Sequence, residues 1–487
     1  MSSLQGQNLG SVVQLDSDRE ALVDLSDPDA PRRYSFSDLQ QLANGVAASL
    51  NIERGTRVGI LAQNSVEFLT ILLGIMRAGG VAVPINYKFP EATIHYIVVD
   101  AALAIVFADE QNSDRLPDDV EVREMSCQAV DSYPVRKPLD GEPGLVLYTS
   151  GSTGRPKGVV LSHASQLSMV ERIGAHLNGV CAVVAAPLYH MNGMLMLFMY
   201  LYSGGKVVLL PRFEARVYLQ ALETYRVNAI TGIPTMLAMM LREKDLIDSL
   251  DFASVSTISI GSSPLSETVA KQAMEVFSNA SISNSYGTTE AGAGMFGRHP
   301  DGLETPSISL GYPQAHVEVR LVDGASATEG VLEVKTAAAM NEYLNLPEKT
   351  SEKTSADGWI NTGDTMHVDE NGFYFFVGRD DDMFNCSGEN IYPGEIERIL
   401  ESDERISEAS VVSLADEVRG QVPVAFVVPM SNTTLDEQMV KDIVLANAPA
   451  YMHPRHVLFM LEMPLAGTSK IDRKLLGEIA AEKITRD

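Results

Sequence analysis

Tyr148-Thr149-Ser150-Gly151-Ser152-Thr153-Gly154-Arg155-Pro156-Lys157-Gly158 is the stretch on which the reading of this chain turns. Leu145-Val146-Leu147 leads in and Val159-Val160-Leu161 leads out, so each flank reads as a strand. Between them stand hydroxyls, glycines and a lysine. Glycines let a backbone approach a ligand closely and turn its N–H groups inward. The Ser and Thr hydroxyls add donors, and Lys157 adds a positive charge. That chemistry suits a polyphosphate. It is not the P-loop pattern, in which lysine directly follows glycine and precedes Ser or Thr at the mouth of a helix. Here Pro156 precedes the lysine and a strand follows. The residues alone also admit a solvated Ser/Gly hairpin loop.

Working outward, 487 residues are too many for one core, so two or more domains are expected. Hydrophobic residues make up 45% and charged residues 21%, the balance of a globular protein. A net charge of −27 argues against nucleic acid and anionic membrane as partners. It also means that any anionic ligand must be met by a few local cations. Cys127, Cys181 and Cys386 are odd in number and far apart, which suits a reducing compartment and no cysteine metal site. The first residues lack a basic segment followed by an apolar one, so no signal peptide is read and a cytoplasmic location is expected. From Gly179 to Tyr202 only His190 can carry charge, yet Pro187, His190, Asn192 and Gly193 interrupt the run. A membrane span would leave those groups poorly satisfied. Strand Cys181–Ala186, loop Pro187–Gly193 and buried helix Met194–Tyr202 fit better.

Elsewhere the two periodicities alternate. Ser37-x-x-Gln40 reads as a capping box opening a helix with Leu39, Leu42, Val46 and Leu50 on one side. Arg57–Ala62 is a strand, Ser65 caps a helix over Val66–Arg77, Gly79-Gly80 closes it, and Val81–Pro84 is the next strand: a βαβ unit. Further strands at Ala104–Ala108, Lys206–Leu210, Ala229–Gly232, Ser256–Ile260 and Ser281–Tyr286 alternate with helices. From Gly311 short strands take over. The reading is α/β: two doubly wound lobes and a small β lobe over residues 1–380, then a small mobile α+β domain over 381–487. Polar turns at 149–158, 187–193, 261–264 and 286–290 follow strands, and ligands of open α/β sheets sit outside strand carboxyl ends. They are expected to share one crevice.

Five segments in order resemble the signatures of the adenylate-forming superfamily of acyl/aryl-CoA synthetases, peptide-synthetase adenylation domains and luciferases. They are the opening stretch, Ser285-Tyr286-Gly287-Thr288-Thr289-Glu290, Trp359-Ile360-Asn361-Thr362-Gly363-Asp364, Gly378-Arg379-Asp380-Asp381-Asp382 with Gly388-Glu389-Asn390, and Gly467-Thr468-Ser469-Lys470-Ile471-Asp472-Arg473. Together they cover residues 148–473. The resemblance implies ATP-dependent activation of a carboxylic acid, with Mg²⁺ and coenzyme A as further requirements. It implies that the 149–154 loop and Lys157 cradle phosphates, and that Tyr286, Gly287 and Thr288 lie at the nucleotide with Tyr286 against adenine. Thr289 would bond the α-phosphate, and Glu290 would hold Mg²⁺ with Thr149 as a second candidate ligand. Gly261, Ser262 and Ser263 would line the adenine, a loose match that also reads as a plain turn. Asp364 would take the ribose hydroxyls, Arg379 ribose and phosphate, and Asn390 the nucleotide. On the residues alone, Thr288-Thr289 also reads as a helix cap, Asp364 as an Asx-turn residue, and residues 380–382 as a solvated linker.

Lys470 is the implied catalytic lysine, its ammonium offsetting the repulsion between carboxylate and α-phosphate. Asp381 is the implied hinge, Ser387 and Gly388 the implied coenzyme A tunnel, and His190 the gate between tunnel and acid pocket; a core histidine is the plainer reading of His190. The pocket candidates are His190, Met191, Asn192, Met194, Ile233, Ser259, Ala291, Gly292 and Met295. They are small or apolar with no evident cation, which points to a neutral aryl, alicyclic or medium-chain acid. The acceptor is coenzyme A or a carrier protein. A luciferase-like monooxygenase and a non-catalytic nucleotide binder are the rival readings. No membrane span is expected, and the oligomeric state is left open.

Overall fold

The structure, a computed structural model, describes the chain except residues 1–5, 14–16, 127, 150–154, 176, 178, 264, 387–388, 417–418, 431–432, 467–469 and 485–487; the side chains of 325, 381 and 390 also lie outside the description. Among the described residues two seven-stranded sheets dominate. The first runs Glu342–Tyr343, Lys157–Ser162, Pro143–Thr149, Val81–Pro84, Arg57–Leu61, Ile105–Ala108 and Glu121–Glu124, parallel except at Lys157–Ser162 and Glu342–Tyr343. The second runs Ser281–Ser285, Thr257–Gly261, Ala229–Gly232, Cys181–Val184, Lys206–Leu209, Glu20–Asp24 and Arg32–Ser35, parallel except at the last strand.

Side-chain alternation explains how the layers stack. In the first sheet Val58, Ile60, Leu145 and Leu147 enter one core, while Val81, Val83, Val146 and Tyr148 enter another. In the second sheet Ala182, Val184, Val207 and Leu209 enter that same first core, and Val183, Val208 and Ile230 face the opposite way. The two sheets therefore share a middle layer of helices. Val66–Arg77 and Met191–Tyr202 belong to it and are apolar nearly all round. A twelve-residue helix is too short to persist alone in water, so burial holds it, at roughly 1.5–3 kcal/mol for each large apolar side chain. This is the fate of the apolar run at 179–202. No helix among the described residues is long and apolar enough to cross a membrane.

The helix Val66–Arg77 ends as expected. Ser65 accepts from the Phe68 N–H, and Gly79 adopts φ +81° so that the Gly79 and Gly80 N–H groups reach the Met76 and Ile75 carbonyls. Two local readings are corrected. The capping box is Ser35 with Asp38, not Ser37 with Gln40, because the helix begins at Phe36 and the N3 position falls on a carboxylate. The helix placed at Met194 begins at Met191, so Asn192 and Gly193 lie on its first turn. The hairpin Glu20–Asp24/Arg32–Ser35 went unread. It joins the second sheet from the far end of the chain, and buried Asp24 fixes it by accepting the Val66 N–H at 2.9 Å and pairing with Arg32 at 2.6 Å.

A four-stranded antiparallel sheet, Glu318–Ser326, Glu329–Lys335, Ile360–Val368 and Tyr374–Arg379, forms the β lobe. After the 3₁₀ turn Asp380–Asp382, a small C-terminal α+β domain builds a five-stranded sheet with its own cores.

Candidate active site

The crevice is assembled from strand ends, and most of its fixed points are hydrogen bonds between elements distant in sequence. Thr149 and Lys157 are cross-strand partners at the end of their hairpin; Ser150, Gly151, Ser152, Thr153 and Gly154 lie outside the described residues. Tyr148 anchors the strand, its hydroxyl donating to Asp100 at 2.6 Å. The Lys157 ammonium lies 4.7 Å from the centre of the Tyr343 ring, and the Tyr343 hydroxyl donates to Glu290 Oε1 at 2.7 Å. Tyr343 therefore ties the hairpin to Ser285–Glu290. Sequence reading missed it, because its two-residue strand Glu342–Tyr343 carries no periodicity of its own.

Asp364 is the centre of the second cluster. It does not sit in an Asx turn: Ile360–Val368 is one continuous strand, and Asp364 faces Arg379 across the ladder. The Arg379 guanidinium lies 3.2 Å from Asp364 Oδ1, and the Tyr286 hydroxyl donates to Oδ2. Asp364 is only 4% exposed. Burial raises its pKa, opposed by Arg379, the Tyr286 hydrogen bond, Lys353 and Lys470. The carboxylate is thus fixed in place as a bidentate acceptor. Tyr286 packs edge-on against Phe296 at 5.8 Å.

Lys353 is a second residue the sequence did not disclose. The helix Pro347–Lys353 reads as a polar surface turn, yet the Lys353 ammonium donates to the Thr362 carbonyl at 2.8 Å in the field of Glu290, Arg379, Asp364 and Lys157. Burial lowers its pKa first, and Glu290 opposes that drop.

Ser259 and Ser285 share a hydrogen bond of 2.7 Å at neighbouring strand ends. Ser262, with φ +68°, receives a 3.4 Å hydrogen bond from Asn192. That left-handed backbone at a serine is a strained position. Gly261 and Ser263 flank it, and Ile233 caps the neighbouring helix from the next strand. The turn 261–263 and the turn holding His190 are thereby adjacent. Asn64 secures the latter from below: its amide donates to the Ala186 and Leu210 carbonyls at 3.1 Å and accepts the Leu188 N–H at 2.8 Å. Gly287 and Thr288 pair with Ala293 and Gly292, and Thr288 Oγ1 accepts the Ala291 N–H at 3.0 Å; the hydroxyl closes a turn between two short strands and no helix follows, so the helix-cap reading is corrected. Thr289 follows, partly exposed at the crevice. Ala291, Gly292 and Met295 are buried just beyond it in the chain, and Met194 is buried on the helix Met191–Tyr202.

Lys470 arrives from the C-terminal domain. Its loop closes through the Ala466 N–H to the Lys470 carbonyl at 2.7 Å and the Leu465–Ile471 bridge; at its base Arg473 bonds Glu397 at 2.7 Å and the Val411 carbonyl at 2.8 Å. The Lys470 side chain is open to the solvent of the crevice, yet the surrounding protein lowers its pKa by desolvation, with Asp364 opposing and Arg379 reinforcing. His190 feels the same ammonium. Burial first, then Lys470 and Lys88, bring its pKa down to about 4, and its Nε2 is buried without a hydrogen-bond partner. Lys470, Asp364, Arg379 and His190 therefore converge, although up to 280 positions separate the outermost pair (470 − 190). Asn390 pairs with Asn385 in the hairpin Phe384–Cys386/Glu389–Ile391; Ser387 and Gly388 at its tip, and the side chains of Asp381 and Asn390, are outside the described residues.

Comparison with known proteins is consistent along the whole chain. The chain is 28% identical over 471 residues to 2-succinylbenzoate–CoA ligase of Bacillus cereus, covering 92% of this chain and 94% of that protein. It is 29% identical to the fatty acid–[acyl-carrier-protein] ligase ScoC of Streptomyces coeruleorubidus, covering 92% of each. The ATP-bound crystal structure of MatB from Rhodopseudomonas palustris superposes with a TM-score of 0.87 at 25% identity, covering 98% of this chain and 99% of that one. Residues 11–344 match the AMP-binding enzyme family and residues 395–470 its C-terminal domain, and the chain belongs to that family.

Proposed function

We propose that this chain couples cleavage of ATP to activation of a carboxylic acid and then passes the acyl group to coenzyme A. A carboxylate oxygen attacks the α-phosphorus, pyrophosphate leaves, and an acyl-adenylate results. A thiol sulfur then attacks the acyl carbon and AMP departs. The observation that carries this reading is the approach of Lys470, an ammonium from the C-terminal domain, to Asp364, Arg379 and His190 in one crevice. Two like-charged reactants need a cation where their charge gathers. In this reading Asp364 takes the ribose hydroxyls, Arg379 spans ribose and phosphate, and Thr149, Lys157 and the loop between them hold the phosphates. Thr289 donates to the α-phosphate.

The residues around Glu290 fit a divalent cation. The Glu290 carboxylate, held by the Tyr343 hydroxyl, is an oxygen donor of the kind a hard divalent cation takes, while the Lys353 ammonium near it would meet the phosphates that such an ion carries. Glu290 would hold Mg²⁺ there, with Thr149 as a second oxygen donor, and the ion would neutralise the departing pyrophosphate. His190, neutral at physiological pH, separates the acid pocket from the path of the thiol.

We further propose a boundary at 380/381, with Asp381 in the 3₁₀ turn as the pivot by which Lys470 withdraws for thioester formation. Pyrophosphate release measured across a panel of carboxylic acids tests the reading as a whole; no release from any acid, with ATP and Mg²⁺ present, would overturn it. A carrier-protein thiol as acceptor is the second reading, favoured by the similarity to ScoC. Thioester formation with coenzyme A against that with a phosphopantetheinyl carrier separates the two.

A further inference from the structure

The helix His163–Gly174 borders the pocket segment 291–295 directly. Met169 Sδ accepts the Ala293 N–H at 3.2 Å. Gly292 and Gly294 hold φ of +81° and +73°, and a Cβ on them would strike Met169 Sδ at 2.6 Å and Ile173 Cδ1 at 2.8 Å. The same helix meets Met191–Tyr202, where Gly174 lies against Met199 and Tyr202. It therefore closes the space between the helix that begins beside His190 and the segment bearing Ala291, Gly292 and Met295. Gly174 abuts the Met199 level, which places the end of this helix on the order of 10 Å below His190 at 1.5 Å per helical residue.

One turn beyond Met169 stands Arg172. Its Nη2 is buried without a hydrogen-bond partner, and no carboxylate among the described residues forms an ion pair with it. Burial lowers its pKa, with no acid to offset the loss of water. The Arg172 charge reaches His316, whose ring is turned toward the Gly294 backbone and whose Nε2 is likewise buried without a partner. An imidazole that donates its other N–H to a carbonyl presents Nε2 as an acceptor when neutral. Burial and the Arg172 charge both favour that neutral form. A buried donor and a buried acceptor thus lie within reach of each other's charge, both unmet. Leaving such groups unmet costs about 1–3 kcal/mol each.

We propose that Arg172 and His316 form the far end of the acid pocket and select substrates carrying an oxygen function remote from the reacting carboxylate. A hydroxyl meets both groups at once, accepting from Arg172 and donating to His316. A carboxylate also accepts from Arg172 but requires His316 to take up a proton. The inference rests on the adenylation reading and names the substrate class for it.

The test is pyrophosphate release from two matched series: cinnamate, 4-hydroxycinnamate and 4-carboxycinnamate, and octanoate, 8-hydroxyoctanoate and octanedioate. Wild-type enzyme should favour an oxygenated member over the plain acid by about 10- to 100-fold in kcat/KM, the worth of one hydrogen bond to a charged group. Arg172→Met should erase that preference while still turning over the plain acid. His316→Leu, with Arg172 intact, should lose preference for the hydroxyl arm and keep it for the carboxylate. The arm that wins identifies the oxygen. Equal use of all members by the wild type, or a preference that survives Arg172→Met, would overturn the inference and leave adenylation standing. Silence from every acid in both series would overturn adenylation and this inference together.

Discussion

Arg77 and Arg172 are both guanidiniums drawn out of water, and His163 and His190 are both imidazoles brought down to about 4 by burial. In the seam between the two large sheets each guanidinium nitrogen of Arg77 is met. Arg77 Nε reaches the Gly10 carbonyl at 2.7 Å, Nη1 reaches Asn44 at 2.6 Å and the Gln40 carbonyl at 3.0 Å, and Nη2 reaches the Gln40 side chain. His163 Nδ1 accepts the Leu9 N–H at 3.0 Å. In the crevice Arg172 Nη2 and His190 Nε2 have no protein partner. The closed set holds the N-terminal segment against the core, and the open set is what a ligand would complete. Openness alone is not sufficient: Ser410 Oγ and Arg455 Nε in the C-terminal domain are also unmet, and Arg455 already has the His453 imidazole as a partner for its Nη1. What distinguishes the crevice is several unmet or desolvated groups of matching chemistry in one place.

The largest effect should come from Lys470→Ala. Adenylate formation should fall by about 10²- to 10³-fold or more, as when a single donor to a developing oxyanion is removed. Thioester formation from supplied acyl-adenylate should persist, and equal loss in both half-reactions would break the division between the two steps. Next, Arg77→Met leaves several buried acceptors unmet and should cost about 3 kcal/mol, read as a lowered thermal midpoint with acid selectivity unchanged. Arg172→Met should do the reverse, altering selectivity while leaving the midpoint unchanged or raised, because a hydrophobe replaces an uncompensated charge. If both arginine variants lower the midpoint equally, the contrast between seam and crevice fails.

A smaller effect concerns the face between the domains, where Thr268 donates to the Glu401 carbonyl at 2.7 Å and burial raises the Glu401 carboxyl to about 8. The folded protein then holds a proton that the unfolded chain releases near 4.5. Stability from this group is full below that value and is lost as pH rises through about 8. Glu401→Gln should flatten the fall in thermal midpoint across that window. The smallest effect is spectroscopic. In Lys470→Ala the His190 imidazole should titrate at a higher pH than in the wild type, still below its ordinary range because burial is the larger cause, while His163 should not move. An unshifted His190 would place Lys470 away from the crevice in solution.

The opening hairpin, the helix Val66–Arg77 and the strands around them were legible because each carries its own signal: a cap, a period and a closing glycine. Lys470, Asp364 and Arg379 were singled out because their segments resemble known signatures, although Asp364 proved to sit within a strand. Tyr343, Lys353 and Arg172 were not. Each lies in a short or ordinary helix or strand whose local pattern says nothing about what lies across from it.

The sequence by itself determined the alternation of strands and helices, the nucleotide-type turns and their order, since these are set by side-chain period and backbone freedom within a dozen residues. Only the tertiary structure decided that the N-terminal hairpin completes the second sheet, that Tyr343 joins Lys157 to Glu290, and that Arg172 and His316 each keep a buried polar atom unmet within reach of the other's charge. Those are contacts across tens to hundreds of residues, and their energies depend on which groups have lost water, a property no local stretch of chain possesses.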